Sequence, residues 1–206
     1  MLSPGHVVAP NGGYGFGPRH VAFHPSKPWL YVSDERSNRI YMFRHSNDRI
    51  EAEPAYTLKT LAAPQDVRPR QIAGPIHVDP DGRFVFVANR ADSTFESGGN
   101  KVFGGGENNI AVFAIDQATG EPTLVQHAET RTIHDRTFAC DPYGRLLVTA
   151  SIKAHAVREE GRIKPVPAAL TVFRMREQSG LEFVKKFDVE TPGNCLQYWT
   201  GMVRLG

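Results

Sequence analysis

Short runs of β-branched and aromatic residues, punctuated by glycine- and proline-rich turns, recur along the whole chain, and no window shows the 3.6-residue periodicity of an amphipathic helix. The runs fall into a pattern that occurs three times. It is anchored on Phe23-His24-Pro25, Val78-Asp79-Pro80 and Cys140-Asp141-Pro142, whose prolines lie 55 and 62 residues apart. A turn follows each anchor (Ser26-Lys27-Pro28, Asp81-Gly82-Arg83, Tyr143-Gly144-Arg145) and leads into an apolar strand at 29–33, 84–88 and 146–150. A third strand is expected at 39–44, 109–115 and 170–175. A more polar fourth is expected at 55–61, 123–128 and 182–187, after turns at Asn47-Asp48, Ala118-Thr119-Gly120 and Ser179-Gly180.

Four antiparallel strands per unit, at a period somewhat above the ~40–50 residues of known blade repeats, predict an all-β fold of β-propeller blades. The blades are expected at 17–72, 73–132 and 133–191, with a closing strand over 194–206. The surplus length lies in two insertions, 91–108 and 152–169. The first carries Gly98-Gly99 and Gly104-Gly105-Gly106 without the GK[ST] ending of a phosphate loop, and reads as a flexible loop at the mouth of the channel. The second, with Lys153, Arg158, Arg162 and Lys164, reads as a weakly basic solvated loop, or as one overhanging a site that takes an anion.

Three blades fall short of the ~4–8 of a closed ring. Missing N-terminal blades or self-association are therefore expected to complete it.

Composition narrows the function classes. Lys+Arg (24) and Asp+Glu (22) nearly balance to a net charge of +2, with no dense basic stripe, which argues against nucleic acid as a partner. No stretch approaches the ~18 apolar residues of a membrane helix, and Met1 to Gly5 lack a basic-then-apolar signal pattern, so the expected location is the cytoplasm. Nineteen glycines and 15 prolines, together 34 of 206 residues, exceed the usual ~12% and fall as turn punctuation. Cys140 and Cys195 show no ligand spacing and read as two buried thiols. No His/Asp/Glu set has convincing metal spacing, no G-x-S-x-G elbow appears, and no cofactor is expected.

Gly17-Pro18-Arg19-His20 with Phe23-His24-Pro25, Val32-Ser33-Asp34-Glu35, Ile76-His77-Val78-Asp79-Pro80-Asp81-Gly82-Arg83 and Ala88-Asn89-Arg90 resemble the lactonase-type seven-bladed propellers. That family includes propeller-type 6-phosphogluconolactonases and carboxy-cis,cis-muconate cyclases. The resemblance implies a match to the C-terminal half of such a ring, a small-molecule lactone as substrate and a lactone-opening activity, with 6-phosphogluconolactonase as the first expectation. A lactonising cyclase, and a non-catalytic binding propeller or inactive fragment, are the alternatives.

Strand topology groups the chemical candidates, because the start of an innermost strand and the end of its antiparallel neighbour lie at one end of the sheet. Arg19 and His20 start one innermost strand, Glu35 and Arg90 follow second strands, and Arg136 starts the innermost strand of the third blade. The resemblance implies Arg19, Glu35 and Arg90 as site residues. Lactone hydrolysis needs a base to activate water, donors for the oxyanion and cations for an anionic substrate. Glu35 suits the base, and Arg19 and Arg90 the forked cationic donors, with Arg90 expected to bind the substrate's anion and Arg136 as a third cation. A purely structural Arg19–Glu35 tie is the competing reading. His20 is either a partner of Glu35 or a turn histidine, and His77 either faces the channel or packs as a hydrogen-bonded wall residue. His24, Asp79 and Asp141 read as turn caps.

Overall fold

The three proline anchors are turns held by their own side chains. Asp79 Oδ1 accepts the backbone N–H groups of Arg83 (2.6 Å) and Phe84 (2.8 Å), and Asp141 Oδ1 those of Arg145 (2.5 Å) and Leu146 (2.9 Å). His24 closes its turn through Nδ1, which accepts from Ser26 (3.2 Å) and Lys27 (3.1 Å). An accepting Nδ1 leaves the proton on Nε2, which donates to the Gly82 carbonyl 3.0 Å away in the next repeat. The capping roles expected of these residues are those observed.

These turns organise a computed structural model that describes residues 7–46, 49–176 and 180–204. The expected turn at Asn47-Asp48, Ser179 of the turn before the last strand, the segment Met1 to Gly5 and Leu205 lie outside the described residues. A 3₁₀ turn at Pro10–Gly13 precedes β1 (Pro18–Phe23), β2 (Trp29–Asp34) and β3 (Arg39–Ser46); β4 (Arg49–Ile50) and β5 (Tyr56–Lys59) both pair with β3 to complete blade one. Blade two begins with β6 (Ile72–Val78) and β7 (Phe84–Arg90). It is interrupted by a hairpin, β8 (Thr94–Ser97) and β9 (Asn100–Phe103), and resumes with β10 (Asn109–Ile115) and β11 (Pro122–Glu129). Blade three repeats the scheme with β12 (Asp135–Cys140), β13 (Leu146–Ser151), a hairpin of β14 (His155–Glu159) and β15 (Arg162–Val166), then β16 (Ala168–Arg176) and β17 (Gly180–Val189). Within each blade the strands pair antiparallel in simple order.

Two expectations are corrected here. The insertions are not loops: their hairpins join through a parallel pairing of β9 and β14 into a separate four-stranded sheet, order β15-β14-β9-β8, with Arg158 donating to Ser97 across it. Gly98 and Gly99, both at positive φ, make the two-residue reversal between β8 and β9, and such a reversal favours glycine pairs. The tail forms no strand over 190–204. It runs beside β12, with Gln197 bonded to the carbonyls of Ile152 and Ser151 and the Thr200 N–H reaching Thr137 Oγ1. Innermost strands of neighbouring blades touch without sharing a ladder, as β1, β6 and β12 do here. A strand in that position therefore needs a second strand of its own blade, and the described residues hold none.

Blade packs on blade through large apolar side chains. Trp29, Tyr31, Ile40 and Met42 of blade one meet Ile76, Val85, Val87 and Phe113 of blade two. Phe84, Phe86, Ile110 and Val112 of blade two meet Phe138, Leu147 and Phe173 of blade three. Burying side chains of this size is worth roughly 1.5–3 kcal/mol each, so these two seams dominate the fold energetically. Polar contacts set the register of the seams: Tyr31 Oη donates to the Gly120 carbonyl (2.8 Å), and the His24 ring lies against Gly82. Among the described residues no helix is long and apolar enough to cross a membrane.

Gly82 combines two constraints, a φ of +71° and a hypothetical Cβ only 2.3 Å from His24 Nε2. Gly82→Ala is expected to destabilise the protein by about 2–3 kcal/mol, combining left-handed strain with overpacking. A urea titration checks this, and His24→Ala in the same background should recover part of the loss by removing the clash.

Candidate active site at the channel mouth

The mouth is built by bulges. β1 and β12 each slip register at their second residue, between Pro18 and His20 and between Asp135 and Thr137, so Arg19 and Arg136 occupy equivalent unpaired positions in blades one and three. A bulge re-aims its side chain out of the ladder, which turns both arginines toward the mouth. Blade two bulges at the same level between Ala73 and Ile76, with Gly74 and Pro75 there instead. Glu35 sits just after β2, pinned by its backbone on both sides: its N–H donates to the Gly17 carbonyl (3.1 Å) and its carbonyl accepts from Ala73 (3.0 Å). Asp34 braces the same corner by accepting from the N–H groups of Gly17 (2.7 Å) and Ser37 (2.9 Å).

The structure brings Arg19, Glu35 and Arg90 into direct contact. Arg19 Nη1 and Arg90 Nη2 both donate to Glu35 Oε1, at 2.6 and 2.7 Å. Oε2 has no protein partner among the described residues, and the Glu35 side chain keeps a third of its surface exposed. Beside it opens a pocket of about 550 Å³ lined by Gly13, Gly15, Gly17 and Ser37. Arg90, by contrast, is 1% exposed. Burial, with Arg19 and Arg136 nearby, lowers its guanidinium to about 10, against the opposing pull of Glu35, so it stays charged at neutral pH. Gly74 leaves the room this requires, since a Cβ there would stand 3.1 Å from the Ala88 carbonyl and 3.2 Å from Arg90 Nε. A guanidinium so enclosed holds Glu35 rather than meeting solvent, which differs from the anion-binding role expected of it. Burial also lowers Arg19, opposed by Glu35 and aided by Arg136. Arg136 lies near enough to depress Arg19, Arg90 and His20, and its guanidinium stands 5.5 Å from the Tyr198 ring centroid.

The two candidate histidines stand deeper in the channel. His20, His77, Thr137 and Trp199 line a cavity of about 150 Å³. His20 keeps a buried, unpartnered Nδ1, and burial followed by Arg19, Arg90 and Arg136 depresses its pKa. His77 is bonded to the Phe138 backbone with its ring 4.7 Å from the Phe138 ring, and burial depresses it also. It is a wall residue and does not join the Glu35 cluster.

Sequence reasoning missed His134 and Asp92. Arg90 Nη1 lies 3.2 Å from His134 Nε2, and a guanidinium only donates, so Nε2 accepts and the ring proton is on Nδ1, which faces Asp92 Oδ2 at 3.3 Å. Asp92 also takes a forked pair from Arg70 Nε (2.5 Å) and Nη2 (2.9 Å). The result is a row of Glu35, Arg90, His134, Asp92 and Arg70 along the rim, hydrogen-bonded except between His134 Nδ1 and Asp92, which stand within ion-pair distance without hydrogen-bond geometry. Asn108 Oδ1 positions it by accepting from Ala91 (3.0 Å) and His134 (2.8 Å), holding His134 at a φ of +60°. The available signal was position alone: Asp92 stands two residues past the end of a second strand and His134 just before an innermost one. Among the described residues no group of three or more His, Cys, Asp or Glu is placed to hold a metal ion.

This is a propeller fragment whose mouth presents one carboxylate among three arginines. A family model described as "Lactonase, 7-bladed beta-propeller" matches residues 6–162, and the chain belongs to that family. It is 31% identical over 176 residues to a 6-phosphogluconolactonase of Bacillus subtilis, covering 82% of this chain and 44% of the relative. A 6-phosphogluconolactonase of Formosa agariphila is 27% identical over 77% of this chain and 41% of its own length. Among solved structures, the periplasmic gluconolactonase of Pseudomonas aeruginosa superposes with a TM-score of 0.62 at 26% identity, over 89% of this chain and 42% of that one. The chain thus spans less than half the length of these relatives.

Burial, then Arg90, lowers His134 to about 4, against the pull of Asp92. The unfolded chain binds this proton near pH 6.5 and the folded one only near pH 4, so stability contributed by the neutral ring falls as pH drops through that window. His134→Asn, which tolerates the left-handed backbone, is expected to flatten the stability profile between pH 6.5 and 4 by up to about 1.4 kcal/mol per pH unit. Denaturant melts across that range check it.

Proposed function

We propose that the chain carries the catalytic mouth of a sugar-lactone hydrolase acting on 6-phosphogluconolactone. The observation that carries this reading is the Glu35 carboxylate, clamped through Oε1 by two guanidinium groups while its side chain stays one-third exposed and lines an open pocket. In this mechanism Oε2 takes a proton from water, and the resulting hydroxide oxygen bonds to the lactone carbonyl carbon. The tetrahedral oxyanion forms beside Arg19 and Arg136, which neutralise it. Collapse breaks the bond to the ring oxygen, which takes the proton back from Glu35 and leaves as a hydroxyl. Arg90 keeps the carboxylate in place, and the row through His134 and Asp92 keeps Arg90 in place. Similarity to relatives named 6-phosphogluconolactonase supports the substrate. Cys140 is half-buried and Cys195 exposed, where two buried thiols were expected, because the tail that carries Cys195 lies on the surface.

Two features support self-association or an added propeller half as the active setting. A third apolar cluster of blade one, Leu30, Val32, Tyr41 and Phe43, is covered by Val8, Phe16 and Ile50 alone among the described residues, and Val21 and Phe23 of β1 are about half exposed. Apolar sheet faces of this kind drive association. The isolated chain is expected to run larger than a monomer in light scattering at micromolar concentration, and a sharp monomer peak would contradict this.

Site variants separate the roles. Glu35→Gln keeps shape but removes basicity, and is expected to lower kcat by about 10²–10⁴-fold with little change in KM. Arg136→Gln removes a cation that neutralises the oxyanion, and is expected to lower kcat by about 10²–10³-fold for the phosphorylated lactone and for gluconolactone alike. Both are measured by lactone hydrolysis in the active assembly. Full activity of Glu35→Gln with a lowered melting temperature would leave the Arg19–Glu35 pair as a structural tie alone.

A further inference from the structure

On the far side of Asp92 from the Glu35 cluster, the rim opens into a second pocket of about 600 Å³ between blade two and the inserted hairpins. Its walls carry Arg70 and Asp92 from the blade, Lys101 from β9, Lys153 from the approach to β14 and His155 from the first position of β14. The charges do not cancel. Asp92 is the lone carboxylate lining it, and that carboxylate is already taken by Arg70 and His134. Lys101 and Lys153 have no carboxylate partner among the described residues. His155 is 9% exposed, and its Nε2 is buried without a hydrogen-bond partner. A buried ring nitrogen without a partner is costly to leave unsatisfied, and two unpaired ammonium groups on the same pocket favour an anion there. Hydroxyl-bearing Ser93 and Thr94 complete the lining.

We propose that this pocket is a phosphate site, taking a phosphate dianion either free or as the monoester of a sugar acid, with Lys101, Lys153 and His155 as its donors. Lys101 and Lys153 supply point charges, Arg70 adds a cation at the rim, and neutral His155 supplies a directed N–H. Desolvation, and Lys153 after it, keeps that ring neutral against the pull of Asp92. Each insertion brings one of these lysines, Lys101 on β9 and Lys153 just before β14, and the parallel pairing of β9 with β14 holds the two segments together. This site does not depend on the hydrolytic reading of Glu35, although a monoester held here would lie at the far end of that row from it.

The imidazole signals of His155, assigned with His155→Gln, report the site directly by NMR. Titration with inorganic phosphate is expected to shift them saturably, and added salt should weaken the effect. The double variant Lys101→Gln, Lys153→Gln should weaken binding at least about tenfold, since two of the charge-assisted contacts are removed. Glu35→Gln should leave phosphate binding at His155 unchanged. Comparing 6-phosphogluconate, gluconate and inorganic phosphate identifies the source. Tighter binding of 6-phosphogluconate assigns the site to the sugar acid's phosphoryl group, equal binding of the two phosphates assigns it to free phosphate, and either outcome supports the site. No saturable shift at millimolar phosphate, an unchanged affinity in the lysine double variant, or an equal response to gluconate would overturn it. Absence of lactone hydrolysis with phosphate binding intact would count against the hydrolase and not against this pocket.

Discussion

A guanidinium almost wholly withdrawn from water must be neutralised where it lies, and in this protein that burden falls on Arg90. Its charge is costly to bury unless opposing charge and hydrogen bonds meet it inside the protein. Glu35 supplies the charge from blade one, His134 the acceptor from blade three, and Gly74 the space in the blade-two bulge. One side chain thereby ties three blades at a single level. Because Glu35 Oε1 is consumed in the tie, the carboxylate is left with Oε2 as the oxygen without a protein partner among the described residues.

The rest of the scaffold keeps those three blades in register. Seams of aromatic and aliphatic side chains supply the bulk of the cohesion, but apolar contacts are non-directional and do not by themselves specify how one blade sits against the next. The His24 to Gly82 and Tyr31 to Gly120 bonds at the lower turns, and the Glu35 to Ala73 and Ser33 to Gly74 bonds toward the mouth, supply that direction. A mouth framed at both ends in this way suits electrostatic catalysis, where the value of a charged donor depends on its being held before substrate arrives. The inserted sheet extends the frame outward and places unpaired lysines over the rim without adding to either core cluster.

The blades were legible in the sequence because each is a local object. A side chain two or three residues before a turn caps it, a glycine or proline reverses the chain, and the next strand follows, so the repeat around Pro25, Pro80 and Pro142 announced twelve strands nearly where they lie. The insertions were misread because glycine was weighed as flexibility; Gly98-Gly99 between two four-residue runs is also a hairpin signal, and what stabilises that hairpin is a partner more than 50 residues further on. The tail reads as a closing strand but forms none, because a ladder partner is a property of the assembled sheet and no local pattern could report its absence.

At the site, sequence alone determined that Arg19, Glu35 and Arg90 belong to one mouth, since their places at strand ends follow from antiparallel alternation. It also determined that His24, Asp79 and Asp141 serve turns. Only the tertiary structure decided that Arg90 is enclosed while Arg136 stays open, that His77 belongs to the channel wall, and that His134 and Asp92 extend the cluster. Burial depends on what neighbouring blades cover, and the tautomer of His134 depends on a guanidinium 44 residues away along the chain. Those are relations between strands that the sequence separates and the propeller brings together.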